Sequence, residues 1–459
     1  MGTAAIQRAL DLAAKGGGVV LVPEGRFLTG TLHLPSHVEV RLAKGAVLLG
    51  SAHRHDYTKG VWYALLVAKD AEDVAIDGEG TIDGQGAALA QDVLHLVDTG
   101  EVKIPPKGWR PSELDRPIII EATNCHAVRV EGVTLKNSVC WVQKYQNCVG
   151  LTIRGIKVDS KSYWNNDGID IVDCRNVRVS DCDFDCADDG ICLKSDTPGA
   201  RCEDVTVGNC RVRSSASAIK FGTSSHGGFR RVRISGIRIR DTFRSCVALE
   251  SVDGGDLEDV VVENVRATHT GNAFFIRLGH RNTKAPPGKV RHIVLRDFDV
   301  QIPAGRPDMG YRFEGPQFRE PHNLEPASIA GLPQATIEDV RLEHIRIRFP
   351  GGGNAGIAYV PIGGLGKVPE RPTEYPEFTM FGELPAWALY ARHVRGIYLK
   401  DFTVGRDATD YRPAFVFDDV SNVLTENLTV TGADRSPRAV MRKVHRARLP
   451  RTVRATIVR

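Results

Sequence analysis

Residues 165–194 read NNDGIDIVDCRNVRVSDCDFDCADDGICLK. The stretch holds two short apolar cores, Ile169–Val172 and Ile191–Leu193. Each is entered through an acidic, glycine-containing turn: Asn165, Asn166, Asp167 and Gly168 before the first, Asp188, Asp189 and Gly190 before the second. Taken singly, such residues are ordinary turn formers. Taken together, they set carboxylates at matching places on two strands. Such carboxylates repel one another, so stability gives little reason to keep them, and a catalytic acid and base are the first reading to test.

Outward from this stretch the same pattern recurs: a turn, an alternating strand triplet, a polar corner, a second triplet. RNVRVSDCDF is followed by EDVTVGNCRV, RRVRISGIRI and EDVVVENVRA, and preceded by HAVRVEGVTL and VGLTIRGIKV. The marker residues of the series are Val74, Val128, Leu151, Val177, Val205, Val232, Val260, Ile293, Val340, Ile397 and Val423. Between Val128 and Val260 the step is roughly 23 to 28 residues, a solenoid period. Short β-branched strands without helical periodicity point to a parallel β-helix, its coils about 4.8 Å apart.

The cysteines carry the same period. Cys125, Cys148, Cys174 and Cys202 each lie three residues before their marker, and Cys182 and Cys210 each lie five after theirs. Equal offsets predict buried ladders of free thiols rather than disulfides. Cys182, Cys186 and Cys192 lack the paired spacing of a zinc site, and no metal or other cofactor is expected.

The chain has 459 residues, 42% of them hydrophobic, and a formal net charge of +4. These values fit one large repetitive core and give no pull towards nucleic acid or an anionic membrane. No run of about 18 apolar residues marks a membrane-spanning helix. The start, MGTAAIQRALDLAAKGGG, reads as a short amphipathic capping helix rather than a signal peptide, because no basic end precedes an apolar core. Its abrupt beginning leaves room for a removed leader, so localisation is left open. A single domain over 1–459 is expected, with loop insertions near 85–117, 302–333 and 349–389. Monomer and small homo-oligomer are equally compatible with a solenoid. Aromatic residues in the last insertion, including Tyr359, Tyr375, Phe378, Phe381 and Trp387, fit either sugar stacking or packing over the coils.

Aligning the third strand of each coil places Ile169, Ile191, Ile219 and Val247 in one inward column. Asp167 and Asp189, each two residues before the marker of its strand, then stack on neighbouring coils with Asp188 beside them. Lys220 and Ala248 share an outward column, which Arg277 joins after a one-residue shift. Lys194 and Glu250 lie two residues further along their strands. The result is a groove with acids at one edge and bases alongside. Three close carboxylates do not all ionise easily, which separates a proton donor from a base. Hydrolysis of a glycosidic bond uses such a pair.

These residues resemble glycoside hydrolase family 28, the polygalacturonase family of right-handed parallel β-helices. The resemblance extends over most of the chain, from GGGVVLVPEGRFLTGTLHLPSHVEVRLAKGAVLLGS through GEGTIDGQG to the acidic stretch. The N-x-D motif is matched by Asn165, Asn166 and Asp167, the DD motif by Asp188 and Asp189. ADDGICLKS is most similar to the exo-acting branch. The resemblance implies an all-β, single-stranded right-handed parallel β-helix. It implies Asp188 as general acid and Asp167 and Asp189 as the pair that holds and activates water, with inversion at the anomeric carbon. It also implies a pectin-like oligosaccharide or polysaccharide as substrate and a periplasmic or secreted location.

Two positions depart from the family pattern. The GHG histidine falls near Ser217, with His226 after the strand instead, and the R-x-K pair falls on Ala248 and Glu250. Glu250 would repel a carboxylate ligand. Lys220, Arg277, His280 and Arg281 either supply a different anion site or pair with surface acids, with Lys194, His226 and Asn165 as further candidate substrate contacts. Trp141 and Trp164, on coils before the acids, fit either stacking platforms or buried packing. Two other functions stay open on the residues alone. One is a β-helix polysaccharide lyase or epimerase using Lys220 as base. The other is a non-catalytic glycan-binding solenoid.

Overall fold

The computed structural model describes residues 2–305, 307, 325–353, 362–432 and 438–458. They fall into two compact units. The first holds residues 2–193 and Glu203–Ser215; the second holds Lys194–Cys202 and the described residues from 216 onward.

Both units are built from parallel β-helix coils. In the first, the markers stand opposite one another in a continuous parallel ladder: Val38, Val74, Val128, Leu151, Val177 and Val205. In the second, Val232, Val260, Ile293, Val340, Ile397 and Val423 do the same. All of these side chains are buried. Burying a Val, Leu or Ile contributes about 1.5–3 kcal/mol, so each step of the ladder adds hydrophobic support to the coils.

The bends between strands also follow from sequence. The residue before each marker from Val74 on has a positive φ, as at Asp73, Asn176, Asp204 and Asp259. So does the residue four after it, as at Gly132, Asp181, Asn209 and Asn264. Glycine enters this left-handed region freely, and Asn and Asp enter it more readily than other side chains do. The polar corners of the repeat are therefore where the backbone can bend without breaking the coil-to-coil ladder.

All ten cysteines are buried thiols. In the first unit the Cys148 backbone N–H donates to Cys174 Sγ at 3.4 Å, and Cys148 Sγ reaches the carbonyl of Ala122. The expected thiol ladder is thus present in the core.

Helix α1 (Thr3–Ala13) opens the first unit and buries Leu10. The 85–117 insertion is more ordered than a loop. Its first half is helix α2 (Gly86–Asp98), which buries Leu89, Ala90, Val93 and Leu96. Their 3.6-residue spacing explains the helix. Most of 302–333 lies outside the described residues, as does Tyr359. Of the other aromatic residues in 349–389, Phe378, Phe381 and Trp387 are buried, and Tyr375 is exposed. Phe378 and Phe381 pack with Leu365, Val368 and Tyr390, so packing is the role the structure gives them. Among the described residues, no helix is long and apolar enough to cross a membrane.

Candidate active site

In the first unit, the turns before Ile169–Val172 and Ile191–Ser195 are bonded to each other as closely as the strands they lead into. The N–H of Asn166 donates to Ala187 O at 3.0 Å, Gly168 N–H to Asp189 O at 2.9 Å, and Ile169 N–H to Gly190 O at 3.2 Å. Gly168 is needed for this approach: a Cβ there would stand 2.5 Å from Gly190 O and 2.8 Å from the Phe184 ring. Asn165, at φ 59°, starts the turn in the left-handed region that Asn tolerates.

This pairing sets Asp167 beside Asp189. Both are almost fully buried, and a carboxylate oxygen of each lies within 4.8 Å of the other and of Cys192 Sγ. The sequence reading expected no metal and did not single out this donor set of two carboxylates and a thiol. Asp188 is only half-buried, so of the three it has the readiest access to solvent. Its carboxylate accepts from the Asp189 N–H at 3.0 Å and from Asn165 Nδ2 at 3.3 Å.

Two supports were not apparent in the sequence. Asn166 is fully buried; its Oδ1 accepts from Ser160 Oγ at 2.7 Å and from the Ser162 N–H at 3.2 Å, and its Nδ2 donates to Cys140 O. Arg116, at the end of the 85–117 insertion, is also fully buried. It donates to Trp164 O at 2.6 Å and to Asn165 Oδ1 at 2.7 Å. A chain of donors therefore runs from Arg116 through the Asn165 amide to Asp188. A planar guanidinium suits this task because its donors are fixed relative to one another.

The two tryptophans differ. Trp141 packs against Trp62, ring centroids 4.7 Å apart, at the edge of a cluster with Ala64, Val67 and Ile118. Trp164 immediately precedes Asn165 and meets Trp109 of the insertion edge to face at 4.6 Å.

The second unit holds the remaining predicted residues, and most are tied to protein groups. Lys220 is buried, its Nζ 3.2 Å from Glu250 Oε2 and 5.4 Å from the Tyr375 ring centre. The acid expected to repel a ligand carboxylate is thus the ion partner of Lys220. Arg277 does not join the Lys220–Ala248 column. A one-residue irregularity between Thr242 and Ser245 sets Phe275 opposite Ala248 and Arg277 opposite Glu250. Arg277 is buried and donates to the carbonyls of Ala330, Gly331, Glu370 and Arg371. Burial lowers its pKa to about 10. Arg281 grips Asp253 through Nε at 2.8 Å and Nη2 at 2.6 Å, a hydrogen-bonded pairing that raises its pKa. His280 Nε2 meets Ala285 O at 2.7 Å. The substitute anion site expected from Lys220, Arg277, His280 and Arg281 is therefore not assembled as an open cluster; each cation has its own partner within the fold. Lys194 is nearly buried, and His226 is about one-third exposed, with Nδ1 3.4 Å from Ser224 Oγ and 3.9 Å from Asp253 Oδ2.

Parallel coils that bring acidic turns together define a class of β-helix proteins, and comparison with known proteins narrows it. Residues 16–211 match the family described as Glycosyl hydrolases family 28. A probable polygalacturonase of Vitis vinifera is 28% identical over 269 residues, 51% of this chain and 52% of that protein. A polygalacturonase of Ralstonia solanacearum is 30% identical over 185 residues, 34% of this chain and 33% of that one. The chain spans about half or less of the length of the curated relatives it matches. Among solved structures, the family 28 exopolygalacturonase of Yersinia enterocolitica shares the fold with a TM-score of 0.63 at 17% identity, over 93% of this chain and 75% of that one. The hyperthermoactive exopolygalacturonase of Thermotoga maritima gives 0.58 at 24% identity, over 76% and 83%.

Proposed function

We propose that this protein is an inverting, exo-acting glycoside hydrolase of pectin-like chains, with galacturonate units as the first substrate to test. The observation that carries the reading is the meeting of Asp167 and Asp189, carboxylates within 4.8 Å and both buried, on a pair of turns that also holds Asp188. The names of the polygalacturonase relatives support the substrate class, and the exo mode rests on the likeness of ADDGICLKS to that branch.

In this reading Asp188 is the general acid. Its greater exposure lets it reach a glycosidic oxygen, and the Asn165 amide holds one of its oxygens. Asp167 and Asp189 bind one water between them. As the bond to the leaving oxygen breaks, Asp188 gives that oxygen its proton. The water oxygen bonds to the anomeric carbon from the opposite face, and its proton passes to the buried pair. Positive charge developing on the sugar is met by carboxylates already fixed in place, which costs no reorganisation during the reaction.

The test is incubation with di- to hexagalacturonate and with neutral plant oligosaccharides, reading products by chromatography and NMR. Release of single galacturonate units with the anomer opposite to that of the cleaved bond is expected. An unsaturated product whose formation is abolished by chelator would replace this reading with a lyase. Absence of any product from galacturonate chains would remove the substrate assignment.

A further inference from the structure

We infer that Trp109 and Arg110, carried by the 85–117 insertion, form a sugar-binding subsite beside the acids. The inference rests on the proposed glycosidase reading and adds to it the residues that receive a neighbouring sugar unit. Trp109 is 61% exposed, an unusual state for the largest apolar side chain. It is not loosely held: Trp164 stands at 88° to it with ring centroids 4.6 Å apart. The Arg110 guanidinium lies 4.8 Å from the Trp109 ring centre and 5.6 Å from that of Trp164.

Location gives this exposed platform its meaning. Trp164 is bonded in sequence to Asn165, whose amide reaches Asp188. The insertion is pinned at the same place by Arg116, which holds both Trp164 O and Asn165 Oδ1. An exposed indole and a guanidinium are thereby packed against the residue next to the proposed acid's partner.

The chemistry selects the occupant. The flat apolar face of an indole matches the C–H face of a pyranose ring. A guanidinium offers a planar fork that matches a carboxylate. Together they fit a uronate better than a neutral sugar. Glu113 Oε1 lies 3.8 Å from Arg110 Nη2, too far to fill that fork with a hydrogen bond.

The experiment is calorimetric titration with trigalacturonate and with neutral galactotriose, using the whole protein, Trp109→Ala, Trp109→Phe and Arg110→Gln, alongside turnover of trigalacturonate. Loss of the indole is expected to weaken trigalacturonate binding about tenfold, with Trp109→Phe recovering most of it. Arg110→Gln is expected to weaken trigalacturonate about tenfold and leave galactotriose within twofold. Trp109 is exposed, so its loss does not threaten folding. Weakened binding in a protein without turnover would keep the subsite and sink the hydrolase reading. Normal turnover with unchanged binding in Trp109→Ala and Arg110→Gln would sink the subsite alone. Equal weakening of both sugars by Arg110→Gln would overturn its uronate role. A protein that neither binds nor cleaves trigalacturonate would overturn both proposals.

Discussion

Replacing Arg116 with alanine removes a buried guanidinium that serves oxygens of three chain segments. Its short bonds go to Trp164 O at 2.6 Å and Asn165 Oδ1 at 2.7 Å; longer ones go to Ser112 O at 3.3 Å and Val139 O at 3.4 Å. Hydrogen bonds from a charged donor contribute roughly 1.5–3 kcal/mol each, so the two short ones set a loss of about 3–6 kcal/mol. Removing the desolvation cost of the buried charge returns part of that. A net destabilisation of about 2–4 kcal/mol is expected, concentrated where the insertion meets the turn at 161–168. The Asn165 amide then loses its anchor, and its bond to Asp188 at 3.3 Å becomes optional. Losing about 1–2 kcal/mol of positioning lowers kcat on galacturonate chains roughly 5- to 30-fold. Arg116→Lys should recover little, because a flexible ammonium does not reproduce a planar pair of donors. Hydrogen exchange read by mass spectrometry would report the turn directly, and kinetics the second consequence. Unchanged exchange at 161–168 together with unchanged kcat would refute the coupling between insertion and acids.

Other expectations follow from single contacts. Gly168→Ala places a Cβ 2.5 Å from Gly190 O, so about 1–3 kcal/mol of overpacking and a large loss of turnover are expected; a wild-type denaturation midpoint would contradict this. Arg277→Met should lower stability by about 2–4 kcal/mol and leave KM within twofold, since its donors already serve backbone carbonyls; a selective rise in KM would return it to the substrate. Burial alone would raise the pKa of Asp410, but the hydrogen bond and charge of Arg412 more than offset it and hold the value low. At Glu370 burial is likewise outweighed, first by the hydrogen bond to His393 and then by the charge of Arg392. Carboxyls depressed in the folded state stabilise it above their unfolded pKa and lose that contribution as pH falls through the folded value. Melting temperature should therefore drop most steeply below about pH 4, less so in Asp410→Asn, and a flat acid limb would count against these pairs.

The repeat was legible because a coil needs the same residues at the same places. A buried aliphatic marker stands between two positions that bend left-handed, and Asn, Asp and Gly fill most of those positions, as at Asn176, Val177 and Asp181. Equal offsets from that frame were enough to bring Asp167 to Asp189 and to predict buried thiols. What failed to show were contacts that do not repeat. Arg116 meets Asn165 across an insertion whose path no period describes. The column expected for Arg277 needed a one-residue shift, and the irregularity between Thr242 and Ser245 runs the other way, setting Phe275 opposite Ala248. Lys220 was open to either an anion site or pairing with an acid, and the structure gives the pairing, with Glu250 as a buried rather than a surface partner.

Turnover of trigalacturonate by Asp188→Asn, measured beside its binding, tests the role of the acids most directly. The isosteric amide keeps the shape of the turn while removing the transferable proton, so kcat should fall about 10²- to 10⁴-fold with binding within a few-fold of the native protein. An amide variant that still turns over at the native rate would contradict the assignment of Asp188, and with it the catalytic reading of the paired turns.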